Sequence, residues 1–122
     1  MDLLEHKKKL TESLKLLSLT FEEQSQCFQD FVDVPFEVID DYGNAFLLLP
    51  PLIEADFFNY ATIANLVRLH NLINFTANRP EFKDLEEDQF ANSEEWNIVR
   101  RLSRETLQLM GEPIEKPDLK YI

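Results

Sequence analysis

The segment 54–76 carries apolar residues on nearly every side of a helix drawn at about 100° per residue. Phe57 falls on one side of this helix, for example, and Leu69 falls on the other. A helix that is apolar almost all round is usually buried on several sides. We therefore expect residues 54–76 to form a buried central helix, with Asp56 as its candidate N-cap.

A narrow apolar stripe runs along the N-terminal segment 1–18, where Leu10, Leu14 and Leu17 recur at helical spacing. This pattern predicts an amphipathic helix. The stripe is too short to argue for a coiled coil, so we expect the helix to dock on the rest of the domain. Its lysines alternate with glutamates, and we interpret them as a solvated face.

Capping signals predict two more helices. Thr20 and Glu23 fit a capping box, which favours a helix over residues 21–32. Ser93 and Gly111 flank the clearest amphipathic pattern in the chain, as N-cap and C′ residue.

Turn-forming residues at positions 40–44 separate two short apolar runs and predict a β-hairpin. Phe36 and Val38 stand before this turn, and residues 46–49 follow it, with Gly43 or Asn44 expected at a positive φ. An isolated hairpin is marginal in water, so this one would have to lie against the helices.

These elements predict a mainly α fold, with a minor α+β character. We expect residues 1–122 to form a single compact domain of four to five helices around the buried central helix, with one β-hairpin. Residues 81–92 could form a short helix or an ordered loop. Residues 112–122, which contain two prolines, are expected to extend over the surface.

The distribution of charge along the chain says more about possible partners than the amino-acid composition does. The net charge is −11, and no Lys or Arg occurs between Lys15 and Arg68, a stretch rich in Asp and Glu. A second acidic block occupies residues 81–95. Such a field repels phosphates and attracts basic partners, although acidity can also serve solubility alone.

Catalytic signatures are missing from the sequence. His6 and His70 have no metal-ligand motif around them, and Cys27 is the single cysteine. Two isolated glycines cannot build a phosphate-binding loop. We therefore expect no enzyme activity, cofactor or metal. With no signal peptide and no apolar run long enough to span a membrane, a cytoplasmic location is expected.

Three arginines, Arg100, Arg101 and Arg104, share the polar side of the last helix. They could bind phosphate or carboxylate groups. Because the chain offers so many carboxylates, we interpret them as pairing with the protein's own acidic residues.

The whole profile predicts a non-enzymatic acidic binding protein. In size and charge the chain resembles bacterial immunity proteins and antitoxins. This resemblance implies a basic toxin or nuclease as partner, whose active-site groove the chain would cover. The expected partner-binding residues are Asp30, Asp33, Glu37, Asp40, Asp41, Tyr42, Asp84, Glu86, Glu87, Asp88 and Phe90. Tyr42 and Phe90 are expected to anchor the contact.

Other functions remain open at this point. The chain could be a helical adaptor or a homodimeric structural or regulatory protein, or a nucleic-acid mimic whose carboxylates imitate phosphates. An enzyme with an unrecognised site ranks last. Neither direct nucleic-acid binding nor membrane binding is expected.

Overall fold

The computed structural model describes residues 2–77 and 87–122, and these residues form seven α-helices and one 3-10 helix. The helices are α1 (Leu3–Ser18), α2 (Phe21–Ser25), α3 (Val34–Phe46), α4 (Leu49–Glu54), α5 (Tyr60–Ala77), α6 (Glu87–Asn92), α7 (Glu94–Met110) and the C-terminal 3-10 helix (Leu119–Tyr121). The mainly α prediction is confirmed. The described residues contain no strand, and their helices outnumber the four to five expected.

The N-terminal helix α1 occupies the centre of the fold. Residues 10–19 are all buried, which means that the second half of α1 is covered on every side. It packs against α3, α4, α7 and the 3-10 helix. The predicted leucine stripe lies in the core, but its polar neighbours are buried as well.

Helix α5 takes a more peripheral position than its sequence suggests. Leu66, Leu69 and Ile73 form a buried side, and α5 packs mainly against α7. The opposite side faces solvent, with Tyr60 92% exposed. The prediction of a central helix buried on several sides is therefore wrong for this segment, since apolar residues also occur on its exposed side.

The start of α5 also differs from the prediction. Asp56 is not its N-cap but a residue with a φ of 65°, in the turn that precedes the helix. Asn59 takes the capping role, because its Oδ1 accepts the backbone N–H of Thr62 at 2.9 Å.

The predicted β-hairpin is wrong, because its residues form helix α3. Asp33 caps this helix by accepting the backbone N–H of Phe36 at 3.2 Å, and Pro35 lies in the first turn, where proline is favoured. Val38 and Tyr42 recur at helical spacing and are buried. Burial of this side against α1 outweighs the turn propensity of the run 40–44, in which neither Gly43 nor Asn44 has a positive φ.

The capping box that begins α2 is confirmed. Thr20 Oγ1 accepts the Glu23 N–H at 3.2 Å, and Glu23 Oε1 accepts the Thr20 N–H at 3.0 Å. The helix nevertheless ends at Ser25 rather than near Val32. Residues 26–33 follow as turns and irregular backbone that lead to the cap of α3.

The boundaries of α7 agree with the prediction. Ser93 Oγ accepts the Trp96 N–H at 3.3 Å, and Gly111 ends the helix in the left-handed conformation with a φ of 73°. Residues 87–92 of the ambiguous segment form α6, and residues 81–86 lie outside the described part of the chain. In the C-terminal tail, residues 112–118 have no regular secondary structure, and the 3-10 helix follows them.

Candidate functional site

One side of α3 combines an exposed aromatic ring with three carboxylates, of which Asp33 and Asp40 are exposed and Glu37 is half-buried. Asp33, Phe36, Glu37 and Asp40 fall within an arc of about 100° around the helix axis. Phe36 is 61% exposed. The opposite side of α3 packs on α1, which fixes the direction in which these side chains point.

The loop before α3 extends this surface. Asp30 is exposed, and Phe31 beside it is 84% exposed. We call the six residues of the loop and helix the α3 surface: Asp30, Phe31, Asp33, Phe36, Glu37 and Asp40. Sequence reasoning missed the two phenylalanines. A helical assignment would have placed Phe36 beside Asp40, whereas no local signal marks Phe31 as exposed.

In the described part of the chain, the carboxylates of the α3 surface form no ion pair with a Lys or Arg side chain. Within residues 2–77 and 87–122, ion pairs hold Glu12, Asp41, Glu105 and Glu115, and none involves a residue of the α3 surface. Asp33 is engaged as the N-cap of α3. The negative potential of the other three is therefore displayed to solvent.

Asp41 belongs to the interior, unlike the exposed Asp30, Asp33 and Asp40. Its Oδ1 accepts a hydrogen bond from Lys9 Nζ of α1, and the same Nζ donates to the carbonyl oxygen of Tyr121. This contact ties α1, α3 and the 3-10 helix together. Asp41 thus neutralises a lysine of the fold rather than facing a partner.

Tyr42 is also buried, at 4% exposure, so the structure removes it from the expected anchors. Its hydroxyl lies 2.5 Å from Nδ1 of His70, and Nδ2 of Asn74 lies 3.0 Å from the other ring nitrogen. Phe46 stacks on the His70 ring at 5.8 Å between centroids. Burial raises the pKa of Tyr42 to about 12, which keeps the hydroxyl protonated near neutral pH.

The second acidic block, residues 81–95, supplies fewer described, exposed partner-binding residues than the prediction named. Asp84 and Glu86 lie outside the described residues, and Glu87 and Asp88 are exposed on α6. Phe90, the expected anchor of this block, is completely buried, with its ring 4.6 Å from that of Trp96. It is a core residue.

Two of the three arginines of α7 bind backbone carbonyls, and the third pairs with a carboxylate as predicted. Arg100 donates to the carbonyl oxygens of Leu19 and Phe90, both at 3.0 Å, and Arg104 donates to that of Ser18 at 3.1 Å. Arg101 forms an exposed ion pair, 3.8 Å long, with Glu105 one turn further along α7. Two of the arginines thus stabilise the carbonyl end of α1.

Arg100 remains charged in this position. Burial, assisted by the nearby charge of Arg104, lowers the pKa of Arg100 to about 10, which is still well above neutral pH. A charged donor forms stronger hydrogen bonds to carbonyl oxygens than a neutral one.

Outside the α3 surface, the described residues give little indication of a reactive group or a metal site. Partial burial raises the pKa of the Cys27 thiol, which disfavours a reactive thiolate. The described part of the chain contains no cluster of three His, Cys, Asp or Glu side chains arranged to hold a metal ion. None of the helices in residues 2–77 and 87–122 has the length and hydropathy needed to cross a membrane.

Comparisons with protein-family models, curated proteins and solved structures give no match for this chain.

Proposed function

We propose that this chain is a non-enzymatic binding protein whose α3 surface docks on a basic protein, as an immunity or inhibitor protein docks on the toxin or nuclease that it neutralises. The observation that carries this proposal is the position of two exposed phenylalanines, Phe31 and Phe36, among carboxylates that form no ion pair with any described residue.

The phenylalanines would supply most of the affinity. Removing a phenylalanine side chain from water contributes roughly 1.5–3 kcal/mol. Protein interfaces concentrate their binding energy in a few such anchors, surrounded by polar contacts. Phe31 and Phe36 therefore replace Tyr42 and Phe90 as the anchors in our proposal.

The carboxylates would supply speed and selectivity. Asp30, Glu37 and Asp40 project a negative field from one side of the molecule. A field of this kind accelerates encounter with a positive partner and disfavours anionic ones. The positive groove of a nucleic-acid-cleaving enzyme is a partner with the required charge.

The helical part of the surface is held rigidly. The opposite side of α3 is buried against α1, and Asp41 on that side is fixed by Lys9. A recognition element that is already ordered loses little conformational entropy on binding.

Affinity purification of the full chain from its native host tests the proposal. We expect to recover a basic protein whose affinity falls as the salt concentration rises. The variant carrying Phe31→Ala and Phe36→Ala should bind this partner at least about 100-fold more weakly, since two anchors are removed.

A matched control comes from exposed apolar residues elsewhere, Leu4 and Tyr60. The variant carrying Leu4→Ala and Tyr60→Ala should bind the partner as the wild type does. Equal binding by the Phe31→Ala, Phe36→Ala variant would refute the proposed surface. A salt-insensitive homodimer with no basic partner would instead support the adaptor function.

A further inference from the structure

A cleft of about 470 Å³ borders the α3 surface on the side of the 3-10 helix. Helix α3 supplies Glu37, Asp40 and Asn44 to its lining, and Phe28 and Tyr121 contribute aromatic rings. Acidic and aromatic side chains therefore line one space, together with Lys9 and Lys120.

Three carboxylates, Glu37, Asp40 and Asp41, and two lysines, Lys9 and Lys120, line the cleft, and Lys9 is paired with Asp41. Glu37 and Asp40 are three residues apart on α3, a spacing that brings their Cβ atoms to within about 5–6 Å of each other. Neither forms an ion pair within the described residues. Lys120, which also lines the cleft, lies over the ring of Tyr121, with Nζ 5.1 Å from the ring centroid.

Asp41 adds an oxygen that lacks a donor. This residue lines the same cleft and is 6% exposed. Its Oδ1 accepts from Lys9, whereas its Oδ2 is buried without a hydrogen-bond partner among the described residues. Asp41 is thus held by Lys9 in the wall of the cleft, and Glu37 and Asp40 are the carboxylates left for a donor group.

We propose that the cleft receives an arginine side chain of the basic partner. A guanidinium is planar and carries five donors, so it can bond to Glu37 and Asp40 together while it stacks on an aromatic ring. A lysine ammonium is a point charge without a face to stack. This inference rests on the proposed function, because it names the partner side chain that the α3 surface recognises.

NMR titration of the full chain with N-acetyl-arginine amide tests the cleft directly. We expect shifts of the backbone amides of Asp40, Asn44 and Tyr121. N-acetyl-citrulline amide, which has the same shape without the charge, should produce none. N-acetyl-lysine amide should bind more weakly than the arginine compound.

Charge variants connect these shifts to the two carboxylates. Glu37→Gln with Asp40→Asn should weaken binding of the arginine compound by about tenfold, because bonds to ionised groups are lost. Glu54→Gln with Glu94→Gln changes the net charge equally at exposed sites elsewhere, and should have no effect. Equal binding of citrulline or lysine compounds, or unchanged binding by the Glu37→Gln, Asp40→Asn variant, would overturn the inference.

The partner assay separates this inference from the proposed function. Suppose that the partner is lost with Phe31→Ala and Phe36→Ala but binds the Glu37→Gln, Asp40→Asn variant unchanged. The cleft proposal would then fail, and the proposed function would stand. If the arginine compound enters the cleft although the host yields no basic partner, the proposed function fails and the cleft remains a guanidinium site.

Discussion

Helix α1 and the α3 surface both carry several charged residues, but the fold treats them in opposite ways. Glu12 and Lys15 of α1 are 1% and 3% exposed, and their charged atoms lie 3.0 Å apart. Lys15 also contacts Glu115 at 2.9 Å, and Glu12 accepts the N–H of Asp118 at 2.8 Å. On the α3 surface, by contrast, Asp30 and Asp40 form no ion pair within residues 2–77 and 87–122.

This difference separates charges that serve the fold from charges available to a partner. Burying an ion costs several kcal/mol unless its partner and hydrogen bonds compensate. The charges of α1 meet that condition through contacts with the C-terminal segment. Asp30 and Asp40 are exposed and need no such compensation, so stability alone does not explain why they are grouped with exposed phenylalanines.

Replacing Arg100 should produce the largest loss of stability, because this residue links α7 to the carbonyl end of α1. Arg100→Met would leave the carbonyl oxygens of Leu19 and Phe90 without their donor. We expect the free energy of unfolding to fall by roughly 3 kcal/mol, measured by urea denaturation.

Arg101 provides the matched control for this experiment. It lies next to Arg100 on α7, but its only ion pair within the described residues is the exposed one with Glu105. Arg101→Met should change the free energy of unfolding by less than about 0.5 kcal/mol. Equal losses for the two variants would mean that burial of Arg100 does not matter.

The sequence correctly predicted where α7 begins and ends. For α1 it predicted a helix that docks on the rest of the domain with a solvated face, whereas α1 occupies the centre of the fold. Ser93 and Gly111 act within one turn of their own helix, so local chemistry reveals them. Lys15 contacts Glu115, which is 100 residues away in the chain, and Arg100 contacts Leu19. No local pattern contains such partners, and these charges therefore suggested solvated faces.

The candidate site, too, could be predicted only in part from local sequence patterns. The acidic stretch around Asp40 was visible in the sequence, but the run Asp40–Asn44 favoured a turn, and its side chains could not be assigned to sides of a helix. Once α3 is known, its 3.6-residue period separates exposed Asp40 from buried Asp41. Exposure of Phe31 depends on the packing of the whole domain.

Removing Lys15 should have the next largest effect. Lys15→Met would leave Glu12 buried, with Lys8 at 3.7 Å as its one remaining cation among the described residues. We expect the free energy of unfolding to fall by about 2–3 kcal/mol. Adding Glu12→Gln should recover part of this loss, so that a double-mutant cycle gives a clearly non-additive result.

The pH dependence of unfolding supplies an independent check on Lys15. Burial lowers its pKa, but hydrogen bonds and charge attraction from Glu115 and Glu12 outweigh this effect and raise the pKa above 10.5. The stabilisation is therefore complete below pH 10.5 and is lost as the pH rises through the folded-state value. The wild type should lose more stability above this pH than Lys15→Met does. Parallel pH profiles would show that Lys15 gains nothing from its partners.

Neutralising the α3 surface should have the smallest effect on stability. Asp30→Asn with Asp40→Asn removes two charges that no described cation balances, from a chain of net charge −11. Relief of repulsion should stabilise the fold by up to about 0.5 kcal/mol at low salt, and by less at high salt. Glu37 is left unchanged, because it lies in the first turn of α3, where a negative charge favours the helix.

Urea denaturation at two salt concentrations measures the change in the free energy of unfolding. The sign of this change shows whether the carboxylates of the α3 surface stabilise the fold as the charges of α1 do. A small gain that salt reduces means that the carboxylates contribute nothing to the fold and are free to act on a partner. A loss above about 1 kcal/mol would mean that Asp30 or Asp40 stabilises the folded state as Glu12 does. The charges of the α3 surface would then have a structural explanation, and the binding proposal would rest on Phe31 and Phe36 alone.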